Sequence, residues 1–320
     1  MSASSEGREY ALPMRIQARA GSEAEELYAK GATLPGNKLP MPKAIANGIG
    51  PEPLADLIFH GGKVVPKMEF QNIFLGRNAD WREQDAVSIN IAIDMAMNDK
   101  RLNNVMAQYF PGRSLECHMR ESFIANEDKS AILDEPDIQN LVMRFYDSGR
   151  IEKSGLNSCL FNFVLPPGTI LKLDHSTSLG GLGGYHGSIH ITHNGKPVTL
   201  YYSANVYSEV LADGRENGIV VFDRPWKNVV ATLYHEINEY RTDADVKDAI
   251  INNDNDFLGW MSRSGKEVGD QPIIKAGEEG NLGLVFQEVE NAQKTRTIPI
   301  QFMYSNTVHG AEGPINTRDL

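Results

Sequence analysis

Cysteine is scarce in this sequence: Cys117 and Cys159 are the only two among 320 residues. Two cysteines are too few for a disulfide framework, and their separation is not that of paired metal ligands. The sequence leaves one disulfide and two buried thiols open, and favours the thiols. No window approaches the roughly 18 uninterrupted apolar residues that a membrane helix needs, so no membrane span is predicted.

An apolar stretch is also lacking at the N-terminus, where residues 1–8 are polar and include Glu6. A cleavable secretory signal has an apolar segment there. We therefore expect a protein that stays in the cytoplasm, is exported by a non-classical route, or is seen here already trimmed.

Basic side chains are in deficit, with 31 Lys and Arg against 42 Asp and Glu and a net charge of −11. Nucleic acids and anionic lipids attract proteins by having their phosphates neutralised, so neither is an expected partner. The composition is otherwise that of a globular protein, with 41% hydrophobic and 23% charged residues. Nothing in the sequence indicates an oligomeric state.

The chain divides into a proline-rich segment over residues 1–55, predicted to be an extended arm or linker, and a body over 56–320. Within the arm, Ser22–Lys30 has the capping pattern of a short helix. The body alternates helical and strand patterns irregularly, which predicts an α/β fold with one mixed sheet and leaves α+β as the alternative. The predicted strands are Phe70–Leu75, Leu160–Leu165, a hairpin of Ser188–Thr192 with Thr199–Ser203, and a late strand at Leu282–Gln287; the predicted helices lie within Asp85–Phe110, after Glu135-Pro136, and at Arg224–Tyr240.

The most informative motif is HEINE, residues His235 to Glu239, on the last of these helices. His235 and Glu239 are one turn apart, so their side chains lie on one face and can bind the same cation. Glu236 lies about 100° further round the helix, where it can hold a water beside that cation. This resembles the HExxH helix of zinc peptidases with a carboxylate in place of the second histidine. The motif predicts a Zn²⁺ site with Glu236 as general base.

A third metal ligand is not fixed by the motif. Asp243 and Asp245 follow the helix, and Glu267 and Asp270 lie in a later turn-rich segment. Each of these acids is, by itself, more typical of a turn or a helix cap than of a metal site.

A second candidate cluster is the glycine-rich segment Gly183–Gly187, which contains Tyr185 and His186. Glycine lets the backbone approach a ligand closely, and the two side chains are of types that polarise a carbonyl or stabilise an oxyanion. The alternative interpretation is a flexible entrance to the hairpin. The segment is not a dinucleotide-binding fingerprint, because no GxGxxG followed by a helix is present.

Several short pieces occur in an order that resembles a group of metallopeptidase-like proteins related to the phosphate-induced, exordium-like family. The pieces are FHGGKV at Phe59–Val64, IFLG at Ile73–Gly76, Trp81, LPPG at Leu165–Gly168, GYH at Gly184–His186, Thr232 to Glu239 with Thr242-Asp243, Gly259-Trp260, and EVGD at Glu267–Asp270. The resemblance covers about residues 57–305. It implies a metal-dependent hydrolase-like core in which His235, Glu236 and Glu239 match the central motif and Asp270 the final one. The sequence departs from the group's pattern at Leu75, Ala244 and Gln271, where the group has tryptophan, proline and cysteine.

Together these observations predict a zinc-dependent hydrolase, most simply a metallopeptidase acting on a peptide or protein. In this hypothesis His235, Glu239 and Asp270 bind the metal, Glu236 is the general base, and His186 with Tyr185 polarises the substrate. The rival hypothesis is a non-catalytic binding or structural protein that keeps the same fold and binds carbohydrate or a protein partner.

Overall fold

The computed structural model describes residues 9–10, 45–82 and 84–316. The helix predicted at Ser22–Lys30 lies outside the described residues. The helices are α1 (Asp85–Asn98), α2 (Lys100–Met106), α3 (Glu135–Asp147), α4 (Pro225–Thr242), α5 (Val246–Asn252) and α6 (Asp270–Glu278). Helices combine with parallel and antiparallel strands, which confirms the α/β class. No helix in the described part of the chain is both long and apolar enough to cross a bilayer.

One mixed sheet forms the centre of the molecule. Its strands are β1 (Glu9–Tyr10), β3 (Lys67–Phe74), β4 (Glu116–Met119), β5 (Phe123–Ile124), β7 (Cys159–Val164), β10 (Gly184–His193) and β11 (Lys196–Asn205). The order is β1-β10-β11-β7-β3-β4, with β5 also paired to β3. The strands β11, β7, β3 and β4 run parallel, whereas β10 is antiparallel to both of its neighbours.

The remaining strands form small ladders around this sheet. They are β2 (Leu57–Phe59), β6 (Ile132–Leu133), β8 (Ile170–Leu173), β9 (Ser176–Thr177), β12 (Glu209–Val210), β13 (Glu216–Asn217), β14 (Trp260–Ser262), β15 (Phe286–Glu290), β16 (Thr297–Gln301), β17 (Met303–Ser305) and β18 (Gly310–Glu312). The pairs are β2 with β14, β6 with β8 and β8 with β9, β12 with β13, β15 with β16, and β17 with β18.

Helices cover both faces of the sheet. Since successive side chains along a strand point to opposite faces, each strand contributes to the packing on both sides. Leu160 and Val164 of β7 pack towards α1 and α4, whereas Phe161 and Phe163 pack towards α3. Cys159 belongs to the α3 face and Cys117 of β4 packs on the other face, and both are free thiols. The favoured prediction of two thiols, rather than one disulfide, is therefore confirmed.

The structure describes the end of the predicted arm and corrects one strand boundary. Ile45, Ala46 and Ile49 are buried in the body, and Ile45 bridges to β18, so the end of the predicted arm is packed into the domain. The late strand predicted at Leu282–Gln287 begins only at Phe286; Leu282–Leu284 is a 3₁₀ turn whose Gly283 N–H is bound by the Asn281 side chain. Asn281 caps that turn locally, and apolar content alone did not reveal it.

Candidate metal centre

Helix α4 carries the centre, and it is buried on all sides from Asn228 to its end. Its sequence begins with Pro225 at the first turn, where the missing N–H has no intrahelical partner to lose. Its polar side chains are as buried as its apolar ones: the exposed fractions are 9% for His235, 4% for Glu236 and 3% for Glu239. Burying such groups is unfavourable unless they are paired or bind a cation.

His235 and Glu239 meet as their spacing predicts. His235 Nε2 lies 3.0 Å from Glu239 Oε2. The other ring nitrogen, Nδ1, lies 2.9 Å from Gln301 Oε1 at the end of β16. Gln301 Nε2 donates to Gly269 O, so its Oε1 faces the imidazole and accepts the Nδ1 proton. Gln301 therefore orients His235 with Nε2 towards Glu239.

The start of helix α6 supplies the third predicted ligand. The N–H of Gly269 donates to Glu239 Oε1 over 3.2 Å, and the next residue is Asp270. The ligand atoms of His235, Glu239 and Asp270 lie within 4.8 Å of one another. The structure thus brings together the three residues predicted to bind metal.

His186 reaches the same place from β10. Its Nδ1 lies 3.2 Å from Glu236 Oε2 and 3.8 Å from Glu239 Oε2, and these three residues form a second group of ligand atoms within 4.8 Å. Its Nε2 lies 3.7 Å from Glu267 Oε1. His186 is therefore surrounded by three carboxyl groups.

A row of buried polar side chains lies beside His186 in the sheet. In the strand register, His186 pairs with Ser203, Ser203 with Asn162, and Asn162 with Asn72. Ser203 Oγ donates to Asn162 Oδ1, and Asn162 Nδ2 donates to Asn72 Oδ1. This row was not identified from the sequence, because only strand register aligns its members. Gln301 was also missed, because its contact with His235 depends on the packing of β16 against α4.

Tyr185 is placed differently from its neighbour. Successive side chains of a strand point to opposite faces, and Tyr185 packs in the core on the α3 side with its ring against Tyr202. Its hydroxyl is buried, and its pKa is raised well above the ordinary value, chiefly by that burial. The structure therefore does not bring the Tyr185 hydroxyl together with the His186 imidazole.

The other acids considered as third ligands lie around the centre. Asp243 is fully buried and its Oδ1 accepts from Gly259 N over 2.8 Å. Asp245 lies further away, where it accepts from the Tyr201 hydroxyl. Glu267 lies beside His186 and its backbone N–H donates to Asp270 Oδ2 over 3.1 Å. Asp270 is thus the alternative that groups with His235 and Glu239.

Charge crowding changes the ionisation of these groups. Burial opposes a charge on His235, but the charges of Glu239, Glu236 and Asp270 and the contact with Glu239 raise its pKa to about 10. Burial likewise opposes a charge on His186, and the hydrogen bond and charge of Glu236 raise its pKa overall. Burial raises the pKa of Glu239, and raises that of Asp243 and Glu267 well above the ordinary values. Without a cation, the centre therefore retains protons.

A cavity of about 210 Å³ opens beside these groups. Its polar lining includes His186, His235, Glu236, Glu239 and Asp270, and its apolar lining includes Leu173, Leu182, Ile219, Ile273 and Ile274; Tyr185 also lines it. A larger cavity of about 550 Å³ lies near the ends of β3 and β7. That cavity is lined by Glu127, Asp128, Lys129 and Arg144 and contains no imidazole, so the smaller one is the candidate site.

Comparison of the chain with known proteins finds no similar protein. No protein-family model, no curated protein and no solved structure matches the chain. The resemblance to exordium-like proteins therefore stays a prediction.

Proposed function

We propose that this protein is a metal-dependent hydrolase that uses Zn²⁺ and cleaves peptide bonds. The observation that carries the proposal is the convergence of His235, Glu239 and Asp270 on one wall of a cavity, with Glu236 beside them. One imidazole and two carboxylates form a donor set that suits Zn²⁺ and leaves a fourth position for water or substrate.

The residues fit such an ion in orientation as well as type. Gln301 Oε1 accepts a hydrogen bond from the Nδ1–H of His235, which leaves the Nε2 lone pair facing Glu239. A hydrogen bond of this kind to the distal ring nitrogen is the usual accompaniment of a metal-binding histidine. When bound, Zn²⁺ supplies Lewis-acid chemistry that lowers the pKa of water towards 7 and polarises a carbonyl.

Glu236 is the proton carrier in this proposal. Its Oε2 contacts His186, whereas its Oε1 lies beside Gly184, where a Cβ would approach it to 3.1 Å. Glycine at 184 thus leaves room at the carboxylate that takes the proton from water. Glu236 then donates that proton to the leaving amine.

A peptide substrate is favoured by the shape and lining of the cavity. Leu182, Ile219 and Ile273 line the same cavity as the acidic groups, so an apolar side chain next to the scissile bond has a place to bind. The net charge of −11 disfavours polyanionic substrates such as nucleic acids.

The test is Glu236→Gln, assayed on a mixed peptide library by mass spectrometry. We expect hydrolysis to fall by about 10²- to 10⁴-fold, the contribution of a general base, while zinc bound by His235, Glu239 and Asp270 is retained. A matched control is Glu278→Gln on exposed helix surface, expected to keep full activity. An undiminished rate of hydrolysis in Glu236→Gln would contradict the assignment of Glu236 as general base. Zinc-loaded wild-type protein that cleaves no peptide would contradict the peptidase activity.

A non-catalytic metal-binding role is the second candidate. It is favoured by the burial of Asp243 and Glu267 beside the centre, since these acids add protein donors that are able to close the coordination of an ion. Cobalt-substituted protein separates the two: a hydrolase changes its visible absorption when a small anionic ligand replaces water, whereas a closed site does not.

A further inference from the structure

Two sets of ligand atoms meet at Glu239. One set is His235, Glu239 and Asp270, and the other is His186, Glu236 and Glu239, each with its atoms within 4.8 Å of one another. Glu239 Oε2 lies 3.0 Å from His235 Nε2 and 3.8 Å from His186 Nδ1. Donors bound to one zinc at about 2.0–2.2 Å are themselves roughly 3–3.5 Å apart. The contact of His235 with Glu239 has this spacing, and that of His186 with Glu239 is slightly longer.

The two imidazoles belong to different positions. Among the described residues, no set of ligand atoms within 4.8 Å contains both His186 and His235. One ion held by His235 and Asp270 therefore leaves His186 and Glu236 facing a separate point on the other side of Glu239. That point has its own short contact, 3.2 Å from His186 Nδ1 to Glu236 Oε2.

The charge of the centre also exceeds what one ion balances. Five carboxyl groups surround two imidazoles, and four of the five are buried: Glu236, Glu239, Asp243 and Glu267, with Asp270 half-buried. With neutral imidazoles, one divalent cation balances two ionised carboxyl groups, so each of the others must keep a proton, be balanced by a second cation, or remain an uncompensated buried charge. Buried charge of that kind is strongly unfavourable.

We propose that the centre holds two divalent cations bridged by Glu239, the second bound by His186 Nδ1, Glu236 Oε2 and Glu239. The first is the ion of the proposed function, on which this inference rests. Ions that share a carboxylate in two-metal sites lie about 3.5–4 Å apart. Glu236 binds through Oε2, so its Oε1 beside Gly184 stays on the cavity side as the proton acceptor.

The surroundings of His186 support this assignment. Its Nε2 is buried, has no hydrogen-bond partner within the described part of the chain, and faces Glu267 Oε1 at 3.7 Å, which is likewise buried and without such a partner. A proton on Nε2 is attracted to this carboxyl group and leaves the Nδ1 lone pair for a cation. The arrangement parallels His235, whose Nδ1 faces Gln301 and whose Nε2 faces Glu239.

The experiment is a zinc titration of metal-free protein, with ions counted by native mass spectrometry. We expect two Zn²⁺ per wild-type chain and one in His186→Asn and in Asp270→Asn, each of which removes a ligand of one position only. Glu239→Gln is expected to weaken both positions. Glu278→Gln, at an exposed acid outside the centre, is the matched control and keeps two ions.

A second measurement does not depend on the variants folding. Wild-type protein loaded with two equivalents of Mn²⁺ is expected to give the electron paramagnetic resonance spectrum of a coupled pair, and with one ion it gives that of an isolated ion. A single zinc in the wild type that His186→Asn retains and Asp270→Asn loses would overturn the second position while leaving the proposed function standing. Two bound ions with no peptide cleavage would support the second position and contradict the proposed peptidase function.

Discussion

At the scale of single residues, the contact of His235 with Glu239 has a role both in the metal-free protein and in the proposed metal-bound protein. Without a cation, the imidazole is protonated and its contact with Glu239 is an ion pair shielded from water. With a cation, the same two atoms become neighbouring ligands. Under the proposed function, protons and metal therefore compete for these atoms, as is general for histidine and carboxylate ligands.

This competition predicts how the stability of metal-free protein depends on pH. The pKa of His235 is about 10 in the folded protein, against 6.5 for the free side chain. A raised histidine pKa stabilises the fold fully below pH 6.5, and the effect is lost as the pH rises towards 10. The raised pKa values of Glu239 and Glu267 act in the same direction, because their protons too are lost with rising pH.

We therefore expect the free energy of unfolding of chelator-treated protein to fall between pH 6.5 and 9.5, by up to about 1.4 kcal/mol per pH unit for each proton released. Urea denaturation at a series of pH values measures it. His235→Asn is expected to show a smaller slope, and zinc-loaded wild type to be flatter still. A metal-free stability that rises with pH over this range would contradict the ionisation assigned to the centre.

At the scale of elements, the centre depends on the turn that joins β14 to α6. Gly269 has ordinary right-handed backbone angles, so glycine is not needed there for conformation. A Cβ at this position would lie 2.4 Å from His235 Nδ1 and 2.9 Å from Glu239 Oε1. Glycine is required because both of the proposed metal ligands, His235 and Glu239, approach its backbone.

Gly269→Ala is therefore expected to displace His235 or Glu239 and to weaken zinc binding by about 10- to 100-fold, the usual effect of disturbing the groups that orient metal ligands. Competition with a zinc-chelating dye measures the affinity. Gly277→Ala, in the same helix but with nothing within 4 Å of its Cβ, is the matched control. It should leave zinc affinity unchanged and add about 0.5–1 kcal/mol of stability. Equal affinity in the two variants would contradict the close packing at Gly269.

How far the sequence predicts this centre depends on whether the interaction is local. The HEINE spacing predicts the meeting of His235 with Glu239, since helix geometry alone fixes it. The strand at Phe70–Leu75 and the hairpin after Gly184 were likewise readable from short apolar patterns. The contact of His235 with Gln301 spans 66 residues and depends on the packing of β16 against α4, for which no local pattern exists.

The alternation of side chains along β10 likewise has one part that the sequence predicts and one part that depends on the fold. It separates His186 from Tyr185 onto opposite faces, and this follows from the two-residue period of any strand. Which face meets α4 is decided by the fold, however, so the sequence predicted both side chains as partners at one site. The structure brings only the His186 imidazole to Glu236 and Glu239.

At the scale of the whole molecule, the centre joins segments that are distant along the chain. His186 comes from the antiparallel strand β10, His235 and Glu239 from α4, and Asp270 from the start of α6. In the absence of a cation, the carboxylates of Glu239 and Asp270 repel one another. Binding that requires all of these segments in place must stabilise the folded protein as a unit, because the unfolded chain does not hold the ligands together.

Zinc is accordingly expected to raise the stability of the entire domain. For one site the gain is about 2.7 kcal/mol at a free concentration of 100 times the dissociation constant, and it should appear as a higher midpoint of thermal unfolding than in chelator-treated protein. Hydrogen exchange should slow together in α4, β10 and the start of α6, since one ion cluster ties these elements to one another. His235→Asn, which removes a ligand of the first ion only, should abolish the protection that zinc confers on the start of α6. The protection of β10 should remain, because the proposed second ion is bound by His186, Glu236 and Glu239. Protection confined to α4 in wild type would mean that the ion is held by the helix without the other two elements, and the centre described here would not exist as a unit.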